Sequence, residues 1–523
     1  MVTEAKQLSS GVTPGARTIA AIDIGANAIR MAVAQVLEDG HVDVLERLRR
    51  AVRMGQDTFR RGRLGGGTMR AAVAVLRDFK QVLDLYHVER LRAVTTSAVR
   101  EASNADNFLD RIYMATGINV EVISPAEESR LTVSAVLGAV GDALALRQRR
   151  TLIADVGGGS TLLTLLENGE ISNYMGLRLG SIRLQELLAT SDEPPERSAQ
   201  LLRQQIANVV SQARRSLPFE AVCSFVATGG DARFAARQIG KPTASADLYT
   251  LARADFDRLV QRCQRQNEEQ LAHTYSIPFE EAETLVPALL VYQALVRLTQ
   301  AREIIVSAVS MRDGILLELA RQVTGEEDET LLEGVIHSTT ALAEKYRVDM
   351  DHARTVAEVA VLLFDQLQPD HGLDRRHRLL LQVAGLIHEV GGFVSNLAHH
   401  KHSLYLIRNS EIFGLNREEV EMVAHIARYH RRSPPKPGHG DYMALPRTAR
   451  AVVNKLAAIL RVADSLARGQ LRRMPKLRFE RLGDEMLIRV VGASDLTLQR
   501  RALDTKGDLF EEVYGMKIRL EEG

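Results

Sequence analysis

The sequence predicts an α/β protein in which one αβ plan is used twice, followed by an all-helical region and a small α+β unit. Two motifs predict the duplication. The first, IAAIDIGANAIRMAVAQV, carries Asp23, Gly25 and Asn27, and the second, TLIADVGGGSTLLTLL, carries Asp155, Gly157, Gly158, Gly159 and Ser160. In each, an apolar run of strand type delivers an aspartate to a glycine-containing turn, and a second β-rich run follows at once, as in a hairpin. A third observation sets the rest of the chain apart. After GEEDE the texture becomes amphipathic helix through about Arg468, and strands return only at KLRFERL, EMLIRVVG and MKIRLEE.

In chain order, residues 1–17 (MVTEAKQLSSGVTPGAR) lack the apolar centre of a secretory signal and read as a flexible tail. Residues 18–139 read as strands followed by helices, with LRAVTTSAVREASNADNFLDRIYMATG leading into the strand INVEVIS. Residues 140–323 repeat the plan, with a strand near FVATGG and a long helical region ending near ELARQ. The helical region takes 324–469 and the small unit 470–523.

Composition narrows the class. A chain of 523 residues exceeds a single core, its 45% hydrophobic content is ordinary for a soluble globular protein, and no stretch is apolar enough to span a bilayer. Cys223 and Cys263, the only cysteines, allow at most one bridge and no metal-ligand spacing, which fits a reducing cytosol and a cytoplasmic location. A net charge of +1 gives no global argument for nucleic acid, although local basic clusters can hold a polyanion.

The two turns suggest phosphoryl chemistry in a cleft. A phosphate needs backbone N–H groups close to its oxygens, and residues without a Cβ permit that approach at low steric cost. Gly157, Gly158 and Gly159 supply it, with the Ser160 hydroxyl as a further donor. The adjacent aspartates would repel an anionic chain unless a hard divalent cation such as magnesium sat between them, which makes Asp23 and Asp155 candidate metal carriers.

The segments DIGANAIRM, SAVREASN, NVEVISPAEESRL, ADVGGGST and GLRLGSIRLQE occur in this order and at separations that resemble the exopolyphosphatase and guanosine pentaphosphate phosphohydrolase family. The resemblance implies two actin-like (ribonuclease-H-like) αβ domains around a cleft, then an all-α HD-like domain and a small α+β C-terminal domain. It implies metal-dependent, processive hydrolysis of the terminal phosphoryl group of inorganic polyphosphate, with Mg2+ or Mn2+ as cofactor and a homodimer as the assembly. Guanosine pentaphosphate is the alternative substrate. An ATP-dependent kinase or ATPase, and a weakened polyphosphate-binding regulatory protein, are the other classes left open.

Within PAEESRL the family's catalytic glutamate matches Glu128, expected as the general base, while its neighbour Glu127 is expected to be a solvated helix-start charge. Arg100 in SAVREA matches the phosphate-binding arginine, whose planar fork can pair phosphate oxygens. Asn27 matches the first loop, whereas Ala26 and Ala28 stand where the family often has serines; the backbone amides of Gly25 and Ala26 are expected to cradle phosphate in their stead. Gly180 and Arg183 fit the wall of the second domain, and Gly229 and Gly230 resemble its glycine pair.

Seven of the fourteen histidines fall between His388 and His439, which gives the helical region a signal of its own. His352, His388 and Asp464 occupy plausible metal-ligand positions of an HD-type site, but His388 is followed by Glu389, and the expectation is that the standard ligand set is lost. The alternative role is electrostatic: Lys401, His402, Arg428, His430, Arg431 and Arg432 are candidates for lining a channel that guides polyphosphate.

Overall fold

The structure, a computed structural model, describes residues 15–140, 149–190, 193–243, 245, 247–325, 329–431, 433–468, 476–492 and 495–523. Residues 1–14 of the expected tail, and Arg432, lie outside them. The chain forms two compact units, one ending at Leu331 and the other running Leu332–Gly523.

In the first unit, β1 (Arg17–Ile24), β2 (Ala28–Val36) and β3 (Val42–Ala51) make an antiparallel meander, while β4 (Arg90–Thr95) and β5 (Val120–Val122) add in parallel on the other side of β1. The order is β3-β2-β1-β4-β5. Central β1 is apolar along nearly its whole length because both its faces are covered. Ala20, Ile22 and Ile24 enter one core with Phe79 and Ile112, and Ile19 and Ala21 enter another with Ile315 and Leu319.

A second sheet uses the same plan. It is built from β6 (Thr151–Val156), β7 (Thr161–Glu167), β8 (Glu170–Leu177), β9 (Ser224–Thr228), β10 (Lys241–Pro242), β11 (Leu248–Ala252) and β12 (Glu303–Ser307). Its order is β10-β11-β12-β9-β6-β7-β8, so β8-β7-β6-β9-β12 repeats the first sheet strand for strand. This duplication is the actin-like, ribonuclease-H-like arrangement. The segment EIIVS, now β12, interrupts what the sequence presents as continuous helix; five apolar-rich residues are too few for periodicity to separate strand from helix.

Two helices tie the sheets together. Helix Pro125–Val140 leaves β5 and places Ser129 Oγ 2.5 Å from Thr164 Oγ1 on β7. Helix Met311–Thr324 follows β12 yet packs Met311, Ile315 and Leu319 onto the back of the first sheet. The two helices cross where only glycine fits, since a Cβ on Gly314 would run into the Leu131 carbonyl.

Among the described residues of the second unit, only helices occur from Met350–Gln366 to Arg447–Leu466. A sheet of β13 (Lys476–Leu482), β14 (Glu485–Val491) and β15 (Lys517–Glu522) follows, in the order β13-β14-β15. The connection from β14 to β15, helices Thr497–Lys506 and Asp508–Tyr514, docks on helix Arg447–Leu466. There Arg461 Nε donates to the Lys506 carbonyl at 2.8 Å and the Tyr514 hydroxyl to the Lys455 carbonyl at 3.1 Å. Among the described residues no helix is long and apolar enough to cross a membrane.

Candidate active site

The ends of β1 and β6 face one cavity of about 360 Å³. Asp23 is the penultimate residue of β1, Asp155 the penultimate residue of β6, and both line it with Gly25, Ala26, Asn27 and residues 157–160. Antiparallel register sets Arg30 opposite Asp23, with Nη1 3.3 Å from Oδ2. Parallel register sets Asp155 beside Thr228 at the end of β9, so the Gly229–Gly230 turn opens into the same cavity. Gly229 has φ +112, and a Cβ there would lie 3.0 Å from the Tyr292 hydroxyl and 3.3 Å from Asp155 Oδ1.

The turns differ from the expected cradles in one respect. The Gly25 amide donates to the Ala28 carbonyl at 3.1 Å and the Gly157 amide to the Ser160 carbonyl at 2.9 Å. Each therefore closes its own turn and does not serve a ligand, so a cradle must come from residues inside the turns: Ala26 and Asn27 in the first, Gly158 and Gly159 in the second. The Asn27 carboxamide donates to the Glu280 carbonyl at 3.1 Å, and so links the first turn to helix Phe279–Val296 of the second domain.

Glu128 lies in the first turn of helix Pro125–Val140 and enters the cavity from a third direction. Its Oε2 is enclosed and has no hydrogen-bond partner, and Arg100 Nη1 stands 3.8 Å from it while donating to the Ile123 carbonyl at 2.6 Å. Burial pushes the Glu128 carboxyl up to about 8; Arg100 opposes the rise, and the charges of Asp155 and Asp23 add to it. Burial also raises Asp155. Asp231 on the far wall is pushed up to about 6 by burial and by Glu281.

Glu127, expected in solvent, is buried at 4% exposure. Arg130 donates to both its oxygens at 2.7 Å, Arg92 Nη2 donates to Oε1 at 2.9 Å, and Glu318 of the crossing helix completes the network with both arginines. These partners hold the Glu127 carboxyl at about 2 against the opposing effect of burial. The network fixes the helical turn from which Glu128 projects. Arg183 is likewise buried, donating from Nε to the Gly159 carbonyl at 2.6 Å, pairing with Glu101 and stacking over Phe59 at 4.1 Å. It bolts the second turn to the first domain. Gly180 makes that approach possible, because a Cβ on it would overlap Gly159.

Sequence reasoning missed the arginines of the cavity, among them Arg30, Arg233 and Arg312. Burial lowers Arg233, and it brings Arg312 down to about 10 and leaves its Nε without a partner. The available signals were the strand register opposite Asp23 and the sequences ATGGDAR and SMRDG.

In the second unit Lys401 is exposed, and His402, Arg428 and Arg431 are half-buried. His430 departs from the expected channel: it is buried, its Nδ1 donates to the Ala427 carbonyl at 2.6 Å, and burial holds it well below the ordinary imidazole range, so it offers no cationic surface. His352, His388 and Glu389 converge, with Asp464 beside both histidines.

Exopolyphosphatase 2 of Mycobacterium tuberculosis is 30% identical over 318 residues, spanning 58% of this chain and 98% of that protein. Two solved structures share the fold: an exopolyphosphatase from Cytophaga hutchinsonii, at TM-score 0.53 and 22% identity over 60% of this chain and 99% of its own, and an exopolyphosphatase-like protein, at TM-score 0.52 and 22% identity over 59% and 99%. The family's sequence model matches residues 33–323, and that of its domain III matches 336–512, a stretch that takes in the helices together with β13 and β14. The chain belongs to the Ppx/GppA phosphatase family.

Proposed function

We propose that the protein is an exopolyphosphatase, hydrolysing the terminal phosphoanhydride bond of inorganic polyphosphate and releasing orthophosphate processively. One observation carries the reading: Glu128 presents an enclosed carboxylate oxygen that accepts no hydrogen bond to a cavity already lined by Asp23, Asp155 and two glycine turns. The charges of Asp155 and Asp23 add to the rise of the Glu128 carboxyl, and a bound cation would relieve that repulsion. The donor set suits a hard ion held by one or two carboxylates and completed by water and phosphate oxygens, as Mg2+ or Mn2+ is at phosphoryl-transfer sites. When bound, the cation would neutralise phosphate charge between Asp23 and Asp155 and stabilise the charge that develops as the bond breaks.

The protein's own groups perform the remaining work. Arg30, Arg233 and Arg312 take phosphate oxygens, and the amides inside the two turns hold the terminal phosphoryl group. Glu128 orients a water and accepts its proton as the water oxygen attacks phosphorus; the bond to the bridging oxygen breaks and a shortened chain leaves. Arg100 lowers the cost of ionising Glu128.

The test is orthophosphate release by purified protein from long polyphosphate, guanosine pentaphosphate and ATP, with magnesium and with chelator. The reading predicts release from polyphosphate that chelator abolishes. Preference for guanosine pentaphosphate would change the substrate within the family, and release from ATP alone would overturn the reading.

A further inference from the structure

The second unit holds a group of donors that the cleft chemistry does not use. His352 sits in the first turn of helix Met350–Gln366, His388 and Glu389 follow the end of helix Arg375–Ile387, and Asp464 lies in the last turn of helix Arg447–Leu466. One ligand atom from each of His352, His388 and Glu389 lies within 4.8 Å of the others, and this is the one such group among the described residues. Asp464 Oδ1 is 3.5 Å from His352 Nε2 and 3.9 Å from His388 Nε2. Ligands about 2.1 Å from a tetrahedral ion stand about 3.4 Å apart, so the 3.5 Å separation fits the edge of such a site and the 3.9 Å separation is about 0.5 Å wider.

A second, independent observation concerns His388, whose ring is fully buried. Its Nδ1 lies 2.8 Å from the Gly385 carbonyl, an acceptor only, so Nδ1 donates there and Nε2 is turned toward Asp464. That Nε2 has no hydrogen-bond partner. It faces a carboxylate oxygen at a distance too long for a hydrogen bond, an arrangement that costs free energy unless a cation lies between. Nδ1 donating to a backbone carbonyl with Nε2 free is how a metal-ligating imidazole is held. By contrast, the neighbouring pair His399 and His430 satisfies itself, with Nε2 to Nε2 at 3.1 Å.

We propose that His352, His388 and Glu389, with Asp464 Oδ1 as fourth donor, bind a divalent first-row transition-metal ion of the zinc, cobalt or manganese class. Mixed imidazole and carboxylate donors select such ions over magnesium or calcium. Half-buried His352 and Glu389 leave an entry path, while Lys506 holds the other Asp464 oxygen and orients the carboxylate. The glutamate in the His–Glu pair, which the sequence presents as loss of a ligand set, is here a donor within reach of both histidines. The proposal does not depend on the polyphosphate reading, since its residues belong to the other unit.

The experiment uses the full chain, stripped of metal and titrated with Co2+ while visible absorption and metal stoichiometry are recorded. The expected result is a set of imidazole-type d–d bands that saturates with one equivalent, is displaced by Zn2+ and is undiminished in Asp155→Asn, whatever ion the cleft takes up besides. Glu389→Gln and His388→Ala should each weaken binding at least about 100-fold, exceeding the 10–100-fold typical of outer-sphere changes. Half-exposed Glu389 provides a variant that keeps its fold if His388→Ala does not, with circular dichroism as the check. No band in the wild type, a band unaffected by Glu389→Gln, or a band lost in Asp155→Asn would each overturn the proposal.

Discussion

Replacing Glu128 by glutamine should inactivate the protein and stabilise it at once. The wild-type carboxyl is pushed from 4.5 to about 8 by burial, so between those values the folded state keeps a proton that the unfolded state has released. Wild-type stability therefore falls as pH rises through this window, by about 1.4 kcal/mol per unit. Glutamine has the same shape and no proton to lose. The variant's advantage should be absent below pH 4.5, reach about 3 kcal/mol at pH 7 and level off near about 5 kcal/mol above pH 8. These are ceilings, because water entering the cleft offsets part of the cost. Urea unfolding in chelator, followed by circular dichroism from pH 5 to 8, reads the difference, and activity at pH 7 should drop about 10²–10⁴-fold alongside it. A stability difference that stayed flat or reversed sign with pH would refute the assignment of a carboxyl raised by burial at this position.

Other outcomes follow from the same geometry. The acid limb of kcat/KM should lie above the ordinary carboxylate range, with activity lost as pH falls and Glu128 takes up its proton, and rising magnesium should move the limb downward; a pH profile at two magnesium concentrations measures both. Glu127→Ala leaves Arg130 and Arg92 buried without their main partner and should cost about 3–5 kcal/mol, more than Glu128→Ala, in the same unfolding experiment. Gly159→Ala places a methyl against Ser97 Oγ and Phe59 and should lower the melting temperature, whereas Gly230→Ala meets nothing within 4 Å and should melt with the wild type. If Lys401 and Arg431 guide long substrates, changing both to alanine should weaken binding of long polyphosphate more than that of short chains, and an equal effect on both would remove the guiding role.

The parts legible in the sequence are those whose cause is local. β1 and β6 announce themselves because a central strand is apolar on both faces, and Asp23 and Asp155 sit where each strand ends. Glu128 was reached through the segment around it, and its convergence with the two aspartates is visible only in three dimensions. What sequence misplaces is set by distant partners. Glu127 reads as a surface charge because surface is where most such residues go; it is buried only because Arg92 and Glu318 arrive from other elements, and the partner that Arg183 finds in Glu101 is equally invisible in the sequence. His430 reads as a cation on a basic face, yet its ring is enclosed beside His388 and His399. The amides of Gly25 and Gly157 read as phosphate donors until the turn that each closes is seen.

The most direct test of the central claim is orthophosphate release from long polyphosphate in a single turnover with magnesium, wild type against Glu128→Gln, under conditions where both are shown to bind the chain. The account predicts prompt release by the wild type and tight binding with almost no release by the variant. Equal release rates from the two proteins would contradict it, and would place the base elsewhere in the cavity.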